Sequence, residues 1–231
     1  MKVIARIHTD FPTKFSIPRQ SGIVDTKAKI VFEPEYKDPQ ALRGLEGFSH
    51  IWILWEFSEV KRGTWSPTVR PPRLGGNERM GVFATRSPFR PNPIGLSSVA
   101  IDKIDLDTPE GPVIYVTGAD LMDGTPIYDI KPYIPYTDCH EDAVGGFAME
   151  APKGVLEVIV PEEYERIMPD EKLIILKEIL ALDPRPSYQD EKDRVYGFPF
   201  SDYEVKFKVD GGKLIVTGIS KNKPKNLGGI K

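Results

Sequence analysis

Apolar and polar positions alternate in short runs along the first two thirds of the chain, and glycine and proline clusters separate one run from the next. Lys2 to His8, Ala28 to Phe32, Phe48 to Phe57, Gly81 to Thr85, Leu96 to Ile104 and Val113 to Thr117 each read as a strand. Amphipathic helices are not regularly interleaved with them. That disfavours a doubly wound parallel sheet and favours a barrel or sandwich, a mainly β fold. The chain carries no internal repeat.

The texture changes near Val160. Pro161 followed by Glu162 and Glu163 reads as a helix start, with proline preset for the first turn and acids at the positive end of the dipole, and a second start follows at Pro169. Leu173, Leu176, Ile179 and Leu180 then recur at helical spacing until Asp183, held extended by Pro184, closes the helix. Tyr203, Val205, Phe207 and Val209 alternate with Glu204, Lys206 and Lys208, and Asp210-Gly211-Gly212 turns the chain into Lys213 to Ile219 as a hairpin. The expected division is a β domain over residues 1–160 and a small α+β domain over residues 161–231, with a frayed tail from Ser220.

Composition narrows the class. At 231 residues, 40% hydrophobic and 28% charged, the chain is an ordinary soluble globular sequence that can bury its own core. The lone Cys139 cannot form an internal disulfide, and with three histidines it leaves little for a metal site, so no metal is expected and a reducing, cytoplasmic home fits. The start MKVIARIHTD lacks the basic-then-apolar profile of a signal peptide. The longest apolar run, Ile51 to Trp55, falls far short of the roughly 20 residues that span a bilayer, so no membrane role is expected.

The net charge of -3 hides segregation. Lys61 to Arg90 holds seven basic residues against Glu78 alone, and Ser201 to Lys231 holds seven lysines against Asp202, Glu204 and Asp210. Such stretches are either solvated loops or places where phosphates are neutralised.

The common chemistry signatures are absent: no G-x-G-x-x-G after a strand, no Walker loop, no H-E-x-x-H and no G-x-S-x-G. A nucleotide-like cofactor would therefore be held by loops of the β domain. Three dense segments offer such loops. Lys14 to Gly22 combines a rigid proline with Gln20, which both donates and accepts, and with a flexible glycine. Gly81 to Ser97 reads as a buried strand running into three prolines interleaved with Arg86 and Arg90, whose guanidinium forks suit a carboxylate or a phosphate. Asp120 to Tyr136 reads as a loop with a tight turn at Asp123-Gly124 and with Tyr128, Tyr133 and Tyr136 as flat faces for an unpaired base. Each is also open to a plainer reading as a connector, a structural ion pair or core tyrosines.

Taken in order, Pro18-Arg19-Gln20, Phe48-Ser49-His50, Arg70 to Gly76, Gly81 to Gly95 and Asp123 to Tyr133 resemble the TrmO family, also called TsaA-like or YaeB-like proteins. The family carries nearly the same PRQ, FSH-x-W, RPPR-x-GG, GVFATRS-x-FRPNPIG and DGTP-x-x-DIKPY stretches, and Asp183 to Tyr188 looks like its C-terminal DPRP-x-Y signature. The resemblance implies a small non-Rossmann β-barrel that binds S-adenosyl-L-methionine, a homodimer with cofactor sites near the subunit interface, and a tRNA substrate. The base modified would be N6-threonylcarbamoyladenosine beside the anticodon, methylated on N6. Carried over by position, cofactor contacts are expected from Gln20, Ser21 and Gly22, from Arg86 and Leu96, from Asp120, Leu121, Met122, Asp123, Gly124 and Thr125, and more weakly from Ser58 and Glu59.

For the reaction, Asp129 is the expected proton acceptor with Lys131 or Tyr133 assisting, and Arg90 or Lys131 the cation for a threonyl carboxylate. His50 reads as a hydrogen-bonded structural residue. Arg185, Tyr188, Lys206 and Lys208 of the second domain are expected to grip the tRNA. Two other classes share these features: a non-catalytic RNA- or cofactor-binding module, and a methyltransferase acting on a small molecule.

Overall fold

The structure is a computed structural model that describes residues 1–60, 65–150, 155–185, 191 and 193–222. In chain order the first part forms β1 (Ala5–His8), β2 (Lys27–Phe32), β3 (His50–Glu56), a short pair β4 (Thr68–Val69) and β5 (Met80–Gly81), then β6 (Ile94–Asp105), β7 (Val113–Thr117), β8 (Pro126–Pro132) and the single turn α1 (Pro135–Asp138). Six of these strands close into a barrel in the order β1-β2-β7-β6-β3-β8, antiparallel at every seam. The alternation in sequence puts Ile7, Ile30, Ile51, Ile53, Ile114 and Ile127 inside, all fully buried.

Antiparallel closure also fixes where the loops go. Successive connections leave from alternate ends, so β1–β2, β3–β6 and β7–β8 all emerge at one mouth. These connections hold the first dense segment whole and the beginnings of the second and third, up to where β6 and β8 start.

The second part begins at β9 (Glu157–Ile159), continues through α2 (Glu162–Glu165) and α3 (Asp170–Ala181), and ends in β10 (Tyr196–Phe200), β11 (Tyr203–Asp210) and β12 (Lys213–Lys221). The sheet order is β10-β11-β12-β9, with β9 parallel to β12. Helix α3 buries Leu173, Leu176, Ile179 and Leu180 against Phe198, Phe207 and Val216 of the sheet. Gly211 and Gly212 both have positive φ, 54° and 84°, which a two-residue hairpin turn needs and only glycine adopts without strain.

Several expectations change. Gly81 to Thr85 is not a strand: pairing stops at Gly81, and Val82–Ala84 coil into a 3-10 turn closed by Thr85 N–H on the Val82 carbonyl at 3.1 Å. Asp120 to Tyr136 is not one loop, since β8 begins at Pro126. A bulge in β8 opposite Leu54 and Trp55 puts Ile127 and Ile130 three apart on the core side, so the period of two is lost. Asp183 is not extended; its φ is 51°, and its N–H reaches the Leu180 carbonyl at 3.1 Å as a left-handed helix cap. Pro161 and Pro169 occupy the cap positions before their helices instead of the first turn. Strand β12 runs through Ser220 to Lys221, past the expected start of fraying, and β9 lies ahead of residue 160 yet belongs to the second sheet. No described helix is long and apolar enough to cross a membrane.

The two parts share material. The β1–β2 connection sends Phe11 and Val24 into the second hydrophobic core, with the Phe11 and Phe200 rings 6.0 Å apart. Beside them Lys172 Nζ donates to Asp10 Oδ1 at 2.6 Å and to Ser201 Oγ at 2.9 Å, and Ser201 N–H donates to the Asp10 carbonyl at 2.7 Å. Phe11→Ala should therefore cost about 3–5 kcal/mol in urea unfolding, as for other fully buried phenylalanines, although the residue lies on a connecting loop.

Candidate active site

The three connections at the barrel mouth are held to one another by their own backbones. Gly22 N–H donates to the Gly118 carbonyl at 2.9 Å, and a Cβ on Gly118 would sit 3.2 Å from Gly22, so the first and third connections meet glycine to glycine. Thr26 Oγ1 donates to the Ala119 carbonyl at 2.6 Å, and Asp123 Oδ1 accepts from Thr9 N–H at 3.1 Å. The second connection joins through Arg86, whose Nη1 donates to Gln20 Oε1. Arg90 keeps that connection folded: its Nη1 donates to the carbonyls of Val82, at 3.1 Å, and Thr85, at 2.7 Å.

Between the connections lies a cleft of about 780 Å³, a size that takes a cofactor-sized ligand. Arg86 and Gln20 form one side, Trp55, Phe57 and Phe89 supply aromatic surface, and Glu56, Glu59 and Asp120 supply carboxylates. Asp120 is set from behind. Trp55 Nε1 donates to Ser97 Oγ at 3.0 Å, and Ser97 Oγ donates to Asp120 Oδ1 at 2.6 Å. Gly95 makes room for this arrangement, because a Cβ there would lie 2.2 Å from the Trp55 indole across the β3–β6 seam. Burial raises the Asp120 pKa above the usual carboxylate value, while the Ser97 hydroxyl, backbone donors including Ser21 N–H, and the nearby Arg86 charge pull it back only in part.

Residues 6–139 match the tRNA-methyltransferase O N-terminal domain, and residues 156–222 match the TrmO C-terminal domain. The chain belongs to the tRNA-methyltransferase O family. It is 41% identical over 215 residues, 89% of this chain and 91% of the relative, to the tRNA (adenine(37)-N6)-methyltransferase of Escherichia coli strain K12. It is 38% identical over 220 residues, 92% of this chain and 93% of the relative, to a Pseudomonas aeruginosa protein described as a putative S-adenosylmethionine-dependent methyltransferase, RcsF. The crystal structure of TrmO from Pseudomonas aeruginosa superposes with a TM-score of 0.76 at 30% identity, covering 95% of this chain and 96% of that one.

Of the positions to which the TrmO resemblance assigned cofactor contacts, the structure brings Gln20, Ser58, Glu59 and Arg86 to the cleft wall. Leu96, Asp120, Met122 and Thr125 join them there. The others do not line it. Ser21 serves Asp120 through its N–H, Gly22 faces Gly118, and Leu121 is buried in the barrel core. Asp123 lies 3.2 Å from His8 Nδ1, and the Gly124 carbonyl accepts from Arg6 Nη1 at 3.2 Å.

Asp129, Lys131 and Tyr133 are not among the cleft-lining residues. Because β8 is a strand, Asp129 and Lys131 share one face and pair with each other at 2.9 Å. Tyr133 packs on His50 and Trp52, at centroid distances of 6.1 and 5.6 Å, and desolvation, with Cys139 and Asp138 nearby, raises its pKa so that it stays a phenol. His50 itself has Nδ1 2.9 Å from Ser49 Oγ. Arg90 lines the cleft, with one guanidinium nitrogen already committed to two carbonyls. Arg185 is mostly buried and forked onto Asp183, while Lys206 and Lys208 stand on the β11 face opposite α3. Tyr188 lies outside the described residues.

Sequence reasoning missed Trp55, Glu56, Phe57 and Ser97, although a serine at an inward position between Gly95 and Val99 on an alternating strand was a visible signal. The raised Asp120 pKa makes a test of the arrangement. A folded carboxyl that holds its proton more tightly than the unfolded one stabilises fully below the unfolded value of about 3.9, and that contribution is lost as pH rises through the folded value. Asp120→Asn should therefore gain stability relative to the parent as pH climbs from about 4 toward neutrality, read from urea midpoints at each pH.

Proposed function

We propose that this chain is an S-adenosyl-L-methionine-dependent methyltransferase that methylates N6 of adenosine 37 in tRNA. The observation that carries the reading is the convergence, on one cleft, of a Gln20-held Arg86 with Asp120, in a chain that matches the named methyltransferases nearly end to end. The cleft chemistry fits the cofactor. A guanidinium fork suits the methionine carboxylate, acids suit the ammonium and sulfonium charges, and Trp55, Phe57 and Phe89 suit a flat base.

When bound, the cofactor supplies a methyl group already activated by positive sulfur. The chain's own task is then to hold N6 in line with that methyl and to receive its proton, and positioning alone is worth several powers of ten. We assign the proton to Asp120 in place of Asp129: it lies in the cleft, and its raised pKa brings a carboxylate nearer to working pH.

The base we propose carries a threonylcarbamoyl group, whose carboxylate needs a cation. Lys14 and Arg19 line the cleft with no ion pair among the described residues, whereas Lys131 is paired with Asp129. We assign Lys206 and Lys208, on β11 of the second unit, to tRNA contacts away from the base. We also infer a homodimer, for which exposed Tyr136, Val144 and Met149 offer apolar contact, and a cytoplasmic setting where tRNA is found.

Labelled methyl from the cofactor should appear in tRNA at adenosine 37. Arg86→Ala should weaken cofactor uptake by about ten- to a hundredfold in calorimetry, as loss of a charge-assisted bond does. Asp120→Asn should bind cofactor yet methylate roughly a hundred times more slowly. Absence of transfer to any tRNA by the parent protein would remove the proposal.

The parent should prefer tRNA bearing the threonylcarbamoyl group, and the joint Lys14→Ala and Arg19→Ala variant should lose most of that preference. Equal parent rates on tRNA with and without the group would overturn this assignment while leaving the enzyme class standing.

A further inference from the structure

A second concavity, of about 1560 Å³, adjoins the cleft and shares Gln20, Arg86, Pro88 and Phe89 with it. Its floor comes from the middle of the β3–β6 connection, including Arg70, Arg73 and Arg79. Elsewhere on the surface many cations sit beside carboxylates: Lys2 with Glu35, Arg6 with Glu33, Lys29 with Glu110, Lys177 with Glu165 and Lys213 with Glu157. Arg70, Arg73 and Arg79 differ. Among the described residues their side chains make no ion pair and no hydrogen bond, and the one acid on the groove wall is Glu150.

A large aromatic ring stands in the same groove. Phe83 is 75% exposed, yet it is not loosely held, because the 3-10 turn that carries it is pinned by the two hydrogen bonds from Arg90, whose guanidinium also lies 5.6 Å from the ring centroid. A rigid, solvent-facing ring beside uncompensated arginines matches what single-stranded nucleic acid requires: cations for phosphates and a flat face for an unstacked base.

We propose that this groove is the track for the anticodon-loop strand, with Arg70, Arg73 and Arg79 on phosphates and Phe83 stacked on an unpaired base next to the one delivered into the cleft. The inference rests on the tRNA reading above and adds the path of the strand to it. It places the main RNA contact on the barrel's β3–β6 connection, ahead of the lysine face of β11.

The test is tRNA affinity measured against salt for the triple variant Arg70→Ala, Arg73→Ala, Arg79→Ala. With three phosphate contacts gone, the slope of log affinity on log salt should fall by about 2, at ~0.7 per contact for a single strand. Phe83→Ala should weaken binding about tenfold, as loss of one stacked base does. Cofactor uptake should be unchanged in both, and the corresponding triple lysine variant should keep most of the affinity, which separates lost charge from lost fold. A folded triple alanine variant with the parent's affinity and slope overturns the proposal. So does one that binds tRNA normally but sediments as a smaller species, since the groove would then belong to a second copy of the chain. A parent that binds no tRNA at all sinks the functional reading itself, a different result from either.

Discussion

Six antiparallel strands closed on themselves admit only two exits, and the chain uses them in strict alternation. This constraint does most of the work of building the site. It gathers residues as distant in sequence as Gln20, Arg86 and Asp120 at one mouth without any of the three connections having to find the others by its own chemistry. The opposite end carries the entry into β1, the β2–β3 and β6–β7 connections and the exit from β8. Local interactions then finish what topology begins: facing glycines let the first and third connections touch, and an arginine–glutamine bond draws in the second.

The first connection is held from both sides. Phe11 near its start and Val24 near its end enter the core of the α+β unit, with Phe15 and Ile17 packed against it, while Gly22 between them lies on the barrel against Gly118. The second unit thus also supports the first connection of the barrel. Removing it would expose two buried apolar side chains and the Asp10 partner of Lys172, all within the connection that carries Gln20. The same connection thus contributes both to the second core, through Phe11 and Val24, and to the cleft, through Lys14, Arg19 and Gln20. The β1–β2 connection is better described as shared between two cores than as a loop of either.

Legibility followed the cleanness of local periodicity. Strands β2, β3 and β11, whose burial alternates without interruption, were readable to within a residue or two, as was helix α3 with its four apolar positions on one face. Strand β8 was not, because the bulge at Tyr128 breaks the alternation that would have announced it. Strand β10 was hidden by Gly197 and Pro199, residues that normally punctuate; Pro199 is tolerated because β10 is an edge strand and needs no N–H on its outer side. The motifs led to the connections that line the cleft, but motif order cannot say which of two nearby aspartates faces inward. Asp120, before the turn, enters the cleft; Asp129, nine residues later on a strand, pairs with its neighbour Lys131.

The same distinction bears on charge. A protein with a net charge of -3 handles a polyanion only if its cations are unequally spent, and here they are. Glutamate and aspartate neutralise basic groups over much of the barrel and the α+β unit, which removes attraction where contact would be unproductive. Along the β3–β6 connection the sequence holds only Glu59 and Glu78 as acids, and Arg70, Arg73 and Arg79 make no ion pair among the described residues. Such a surface biases approach as well as binding, since a polyanion is drawn toward the uncompensated patch before any base is recognised. The patch opens directly into the cleft through Arg86 and Phe89, so on the proposed reading the field that draws in a strand leads to the cleft assigned to the chemistry.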